Sequence, residues 1–60
     1  MEQYLTVKQV QDILGFSKTK TYALVNQKDF PKIRIGNDIR IPRTAFFTFL
    51  ENLMYKEYKL

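Results

Sequence analysis

The stretch VKQVQDILGFSKTKTYALV, residues 7–25, decides the fold, because it holds two short helical patterns joined by a turn at a single glycine. Apolar residues recur at helical spacing in its first half, at Val7, Val10, Ile13 and Leu14. Thr6 and Gln9 have the spacing of a capping box, which marks a helix start. Gly15 supplies the left-handed residue that commonly ends a helix. The pattern predicts a first helix over about residues 7–14.

The second half of the stretch predicts another helix, over about residues 18–27, with Ser17 as its N-cap. Its expected buried residues are Thr21, Leu24 and Val25. A three-residue turn with a glycine, between two short amphipathic helices, is typical of the helix-turn-helix, although plain helical hairpins also use such turns. Basic and hydroxyl side chains fill the first turn of this helix, at Lys18, Thr19, Lys20 and Thr21.

Beyond Pro31 the periodicity changes to two, which is typical of a β-hairpin. The alternating apolar residues are Ile33, Ile35, Ile39 and Ile41, and the turn residues between the two runs are Gly36, Asn37 and Asp38. We expect a two-stranded hairpin, called the wing below, whose isoleucines lie on one face and pack on the helices. Arg34 and Arg40 are expected on the opposite face.

Pro42 marks the start of a last helix, expected over about residues 43–57. Its predicted core-facing residues are Phe46, Phe49, Leu50 and Leu53. The order helix, turn, helix, hairpin, helix predicts an α+β fold, a small winged helix-turn-helix. Residues 1–60 are expected to form a single domain of this kind.

The composition excludes several classes of site. The chain contains no cysteine and no histidine, which excludes disulfides, thiolate or imidazole metal sites and nucleophile–histidine pairs. Its acidic residues are scattered and no glycine-rich phosphate loop is present, so we expect no enzymatic activity, no cofactor and no metal. No apolar run approaches the roughly 20 residues of a membrane span and no signal-peptide pattern begins the chain. We therefore expect a cytoplasmic protein without a membrane partner.

The positive charge is concentrated in the middle of the chain. The formal net charge is +4, and residues 17–43 carry +5, against −1 for residues 1–16 and zero for residues 44–60. A localised basic block is typical of a protein that binds a polyanion, although a merely solvated surface has the same composition.

Two longer segments, LTVKQVQDILGFSKTKTYALV (residues 5–25) and FPKIRIGNDIRIPRTAFFTFL (residues 30–50), resemble the excisionase family of small winged helix-turn-helix proteins. That family is related to the DNA-binding domains of MerR-type regulators. The most specific parts of the resemblance are LTV at the first helix, LGFS at the turn and IRIGNDIRIP in the wing. This chain has Lys18 where the family often has arginine, and Asn37 and Asp38 where the wing tip is often basic.

The resemblance implies a DNA-binding and DNA-bending accessory factor of a phage or another mobile element, which steers a tyrosine recombinase (integrase) toward excision. The expected partners are double-stranded DNA, a tyrosine recombinase, and further copies of the chain bound cooperatively on DNA. When bound to DNA, the protein would be associated with the nucleoid. Two other functions stay open. One is a small helix-turn-helix transcriptional regulator, and the other is a protein–protein interaction module such as an antitoxin or a phage-encoded inhibitor.

The second helix carries the first group of expected DNA-binding residues. If its N-terminal turn enters the major groove, that turn faces bases and phosphates, which assigns DNA contacts to Lys18, Thr19 and Lys20. Ser17 either only caps the helix or also offers its backbone N–H to a phosphate. Tyr22 either reaches a phosphate with its hydroxyl or is a core residue.

The wing and its flanks carry the second group. Arg34 and Arg40 are assigned to a minor groove beside the wing, unless they merely solvate a strand face. Lys32 before the wing and Arg43 after it are expected to clamp phosphates.

The last helix suggests a partner surface. Phe47, Met54 and Tyr58 recur at i, i+7 and i+11, away from the predicted core-facing residues. Apolar residues on a face that ought to be wet are typical of a docking site, here for the recombinase or a neighbouring copy on DNA. The alternative is that this small core takes up all three side chains.

Overall fold

The computed structural model describes residues 3–60, in which three helices pack against a three-stranded antiparallel sheet. The elements are β1 Tyr4–Leu5, α1 Val7–Leu14, α2 Lys18–Val25, β2 Ile33–Ile35, β3 Asp38–Pro42 and α3 Arg43–Asn52. Helices α1 and α2 are joined by the predicted three-residue turn, and β2 and β3 form the wing. The predicted α+β winged helix-turn-helix is confirmed.

Helix α1 has the predicted bounds because its ends are specified locally. The Thr6 hydroxyl accepts a hydrogen bond from the Gln9 N–H at 3.1 Å, and the Gln9 side-chain oxygen accepts one from the Thr6 N–H at 2.9 Å. These bonds satisfy two N–H groups that a helix start leaves without partners. Gly15 ends the helix with a φ of 70°, where a residue with a side chain would be strained.

Helix α2 starts where predicted and ends two residues early. The Ser17 hydroxyl caps it by accepting a hydrogen bond from the Lys20 N–H at 3.2 Å. Thr21, Leu24 and Val25 are buried, as predicted. The helix ends at Val25 because the Gln27 N–H bonds to the Leu24 carbonyl, an i→i+3 bond that tightens the last turn. The predicted extension over residues 26–27 is wrong.

The sheet has the strand order β1-β3-β2, and its first strand was not predicted. Tyr4 lies opposite Pro42 and Leu5 opposite Ile41, so β1 covers the inner end of β3. This pairing brings the chain start beside the start of α3, where the Arg43 N–H donates to the Gln3 carbonyl at 2.9 Å. It therefore fixes the sheet against both α1 and α3.

The prediction that the isoleucines share one face of the wing and the arginines the other is wrong. Ile33 lies opposite Arg40, and Arg34 opposite Ile39. Residues directly opposite in an antiparallel pair share a face, so each face holds isoleucine and arginine together. The cause is the two-residue turn at Gly36 and Asn37, which pairs odd positions of β2 with even positions of β3.

The burial of the isoleucines follows from this register. Ile41 is fully buried and Ile39 is half-buried, whereas Ile33 is 40% and Ile35 is 71% exposed. Of the four isoleucines, the two in β3 are therefore the ones that pack on the core.

Helix α3 is shorter than predicted, because it ends at Asn52 and not near residue 57. The N–H groups of Leu53 and Met54 bond back three residues, to the carbonyls of Leu50 and Glu51. Tyr55 then adopts a left-handed φ of 65°, which stops the helix. Residues 56–60, called the tail below, turn back toward the protein, where Tyr58 packs against Phe49.

The core lies between the three helices and β3. Its buried apolar residues are Leu5, Val10, Leu24, Val25, Phe30, Ile41 and Phe46. Of the predicted core residues of α3, Phe46 is fully buried, while Phe49, Leu50 and Leu53 are half-buried. No helix within residues 3–60 is long and apolar enough to cross a membrane.

Candidate nucleic-acid interface

The first turn of α2, where DNA contacts are predicted, is exposed. Lys18, Thr19 and Lys20 are all exposed, and the Ser17 cap holds their backbone in helical geometry. Tyr22, one turn further, is 41% exposed. Its ring is therefore not a core residue, which removes one of the two predicted alternatives for Tyr22.

A groove runs along one side of α2. It consists of two clefts that share Val7, Lys8 and Tyr22 as walls. We call it the polar groove, and its lining residues are Thr6, Val7, Lys8, Gln11, Lys18, Tyr22, Asn37, Asp38, Ile39 and Arg40. Three cations from three elements, Lys8, Lys18 and Arg40, thus line a common surface, against the single carboxylate of Asp38. Such a surface attracts anions.

Lys8 is the groove residue that the sequence did not indicate. It belongs to the segment with a net charge of −1, and its ammonium pairs with the Asp12 carboxylate at 3.1 Å. The only available signal was its spacing of three from Gln11, which puts both side chains on one side of α1.

Lys20 lies on the other side of α2 from Lys18. Two positions along a helix correspond to a rotation of about 200°. The Lys20 ammonium sits 4.5 Å from the centre of the Phe16 ring, a cation–π contact. Lys18 and Lys20 therefore flank Thr19 on opposite sides.

The two wing arginines point in different directions. Arg40 lines the polar groove, and its guanidinium donates to the Ile39 carbonyl at 2.9 Å. Arg34 is exposed on the opposite face of the wing, beside Ile39. The wing does not bring the two arginines to one face.

Lys32 and Arg43 both make contacts within the protein. The Lys32 ammonium donates to the Gln27 carbonyl at 2.8 Å, which ties the start of the wing to the end of α2. The Arg43 guanidinium lies 5.2 Å from the centre of the Phe47 ring, and the side chain stays exposed. Of the two predicted phosphate clamps, Arg43 is the more accessible.

The family model described as "Helix-turn-helix domain" matches residues 4–54. The chain belongs to the helix-turn-helix domain family. A curated protein of Saccharopolyspora erythraea, named "Probable excisionase", is 42% identical over 53 residues, or 88% of this chain and 54% of that protein. The chain thus spans about half the length of the relative it matches, and the predicted likeness to excisionases is confirmed. No solved structure matches this chain.

The predicted partner surface of this helix-turn-helix domain does not form as one helical face, because Met54 and Tyr58 lie beyond the end of α3. Phe47 is half-buried and packs on Phe46, with ring centres 5.2 Å apart. Tyr58 is half-buried and packs edge-on against Phe49 at 5.6 Å. Met54 is 57% exposed.

Tyr58 also closes a long-range polar contact. Its hydroxyl donates to the Asp29 carboxylate at 2.5 Å, across 29 residues of chain. This hydrogen bond, helped by burial and by the negative charge of Asp29, raises the pKa of Tyr58 above its ordinary value of 10.0. The tail of the helix-turn-helix domain is thereby fixed to the loop after α2.

A second groove lies on the Lys20 side of α2. We call it the apolar groove, and its lining residues are Leu14, Phe16, Lys20, Leu24, Phe49, Leu50, Leu53, Tyr58 and Leu60. Lys20 is the only charged side chain among them. The tail forms part of this lining, so the apolar groove belongs to the packing of the helix-turn-helix domain.

Proposed function

We propose that this helix-turn-helix domain binds double-stranded DNA at specific sites and acts as an excisionase-like accessory factor of a mobile element. The observation that carries DNA binding is the polar groove, where cations from α1, α2 and the wing meet beside the exposed first turn of α2. The identity of 42% with the probable excisionase supports the role in recombination.

In the proposed complex, α2 enters the major groove by its N-terminal turn. Lys18 and Lys20 point to opposite sides of α2, so each approaches the phosphates of a different DNA strand. Thr19 lies between them and faces the base edges, where a hydroxyl can donate or accept. Tyr22 reaches a phosphate from within the polar groove, and the positive end of α2, capped by Ser17, favours the same anions.

The wing lies in the adjacent minor groove with one edge inward. Arg34 and Arg40 lie on opposite faces of the wing, so each faces one wall of that groove. Arg43 adds a phosphate contact at the start of α3. Lys32 acts on binding through its bond to the Gln27 carbonyl, which holds α2 in place relative to the wing.

The excisionase role adds DNA bending, a tyrosine recombinase as partner and cooperative binding of neighbouring copies. Among the three residues predicted for partner contact, Met54 presents the most accessible side chain, at 57% exposure. Phe47 and Tyr58 are half-buried in aromatic contacts with Phe46 and Phe49, so they offer a partner less surface.

The test is fluorescence anisotropy on duplex tiles from the protein's own genomic neighbourhood, with a scrambled duplex as control, over a series of salt concentrations. We expect tight binding to one tile and a slope of log K against log salt of roughly −5, because about five cations each neutralise a phosphate and displace counterions from the DNA. A slope near zero, or equal binding to every tile, contradicts site-specific binding through these cations.

A recombination assay on the element's attachment DNA then separates excision from regulation. With the cognate recombinase present, adding the protein is expected to raise the yield of excised product. If only a promoter tile is bound and the yield is unchanged, the protein is a transcriptional regulator on the same fold.

A further inference from the structure

Lys8 occupies a position that the stability of α1 does not favour. It is the second residue of the helix, where the positive end of the helix dipole disfavours a cation. Its partner Asp12 lies four residues later, and a lysine placed before its acid is the weaker order for such a pair. Stabilisation of α1 by the ion pair therefore does not explain why a lysine stands at this position.

The Lys8–Asp12 pair is also easily broken. The two side chains are 72% and 64% exposed, so water and salt screen their attraction. Exposed pairs of this kind contribute about 0.3–0.5 kcal/mol in helices. A phosphate that meets two or three cations at once interacts more strongly than the single Asp12 carboxylate does.

Lys8 lies where the two clefts of the polar groove join. On one side of it the groove is lined by Lys18, and on the other side by Arg40, with Tyr22 common to both. A strand backbone that follows the groove from α2 to the wing must pass Lys8. A succession of cations along one groove suits a chain of phosphodiesters, in which charges recur along the strand.

We infer that Lys8 is a DNA-backbone contact that joins the α2 contacts to the wing contacts, and that Asp12 competes with the phosphate for its ammonium. This inference rests on the proposed binding of DNA. On binding, Lys8 exchanges the Asp12 carboxylate for a phosphodiester oxygen. The contact is made to the backbone, so it adds affinity for any duplex sequence and does not contribute to the choice of site.

The experiment compares Lys8→Ala, Asp12→Asn and Lys59→Ala in the anisotropy assay. Lys59→Ala is the matched control, because Lys59 is also an exposed lysine beside a carboxylate, Glu57, and lies outside the polar groove. All three variants are expected to keep the helical fold by circular dichroism, since the altered side chains are exposed.

We expect Lys8→Ala to reduce the magnitude of the salt slope by about 1 and to weaken binding to the site tile and the scrambled duplex by the same factor, several-fold at 0.15 M salt. Asp12→Asn is expected to tighten binding about two-fold, because it frees Lys8. Lys59→Ala is expected to leave the slope unchanged.

Two different failures are distinguishable. If the unaltered protein binds its site tile with a steep slope while Lys8→Ala behaves like Lys59→Ala, the inference about Lys8 is wrong and the proposed function stands. If the unaltered protein binds no duplex, both are wrong. A Lys8→Ala effect confined to the site tile also overturns the inference, because it would make Lys8 a base-reading residue.

Discussion

The polar groove and the apolar groove lie on opposite sides of α2 and differ in what their side chains do. In the polar groove, the side chains of Lys18 and Tyr22 are exposed. In the apolar groove, Lys20 rests over Phe16, and Leu24 is only 5% exposed. The difference teaches that the two sides of one short helix serve different ends, exposed contacts on one and burial on the other. Substitutions of the exposed side chains Lys18 and Tyr22 are expected to change DNA binding alone, and substitutions beneath the apolar groove to change folding first.

The largest effect is expected for Phe30→Ala, beneath the apolar groove. Phe30 is 3% exposed and contacts the rings of Phe46 and Phe49 at 6.0 and 5.3 Å. Removing a buried phenyl ring costs about 3–5 kcal/mol, which is comparable to the whole free energy of unfolding of so small a domain. We expect the variant to be largely unfolded by circular dichroism at 25 °C.

Tyr22→Phe is the control from the polar groove, since it removes one exposed hydroxyl and keeps the ring. Its melting temperature is expected to equal that of the unaltered protein. If Phe30→Ala melts cooperatively near the same temperature, the contrast between the two grooves is wrong.

The second effect separates folding from binding at a single residue. Ser17→Asp keeps an N-cap, because aspartate caps helices as well as serine does and its charge suits the helix start. We expect an unchanged free energy of unfolding by urea denaturation. DNA binding is expected to weaken about ten-fold or more, because the new carboxylate repels a phosphate at the start of α2.

Ser17→Ala is expected to give the opposite result, a lower stability without a repelling charge at the start of α2. It loses the hydrogen bond from the Lys20 N–H, which costs about 1 kcal/mol of stability, and it adds no charge. Should Ser17→Asp bind DNA as tightly as the unaltered protein, no phosphate approaches the start of α2, and Ser17 only caps.

Local features of the sequence predicted the helices well at their starts. The capping box of Thr6 and Gln9 and the stop at Gly15 fix α1 by contacts within a few residues. The faces of the wing were predictable too, because a two-residue turn always places odd positions of one strand opposite even positions of the other. The error lay in counting Asp38 with the turn, since a three-residue turn would pair Ile35 with Ile39 and put the isoleucines on one face, whereas Asp38 is the first residue of β3.

The features that the sequence did not predict depend on contacts between distant parts of the chain. Strand β1 is two residues long, too short for a periodic signal, and exists because β3 pairs with it. The polar groove combines residues from α1, α2 and the wing, so the charge of each segment taken alone did not reveal Lys8. The return of the tail after α3 likewise joins distant residues, since Tyr58 meets Asp29 there.

The smallest effect is expected when that tail contact is tested, the hydrogen bond between Tyr58 and Asp29 on the apolar side of α2. The Asp29 carboxylate raises the pKa of Tyr58 in the folded protein, so the folded state holds the phenol proton more tightly than the unfolded state does. Its contribution to stability is complete below about pH 10, the unfolded pKa, and is lost as the pH rises through the folded pKa. We expect the urea midpoint to fall, as the pH rises above 10, by more in the unaltered protein than in Tyr58→Phe. Tyr55→Phe, at a side chain that is 99% exposed, is the matched control and is expected to keep the full decline. Equal declines in all three proteins would mean that packing on Phe49 alone holds the tail, and that the hydrogen bond from Tyr58 to Asp29 does not stabilise the apolar side of α2.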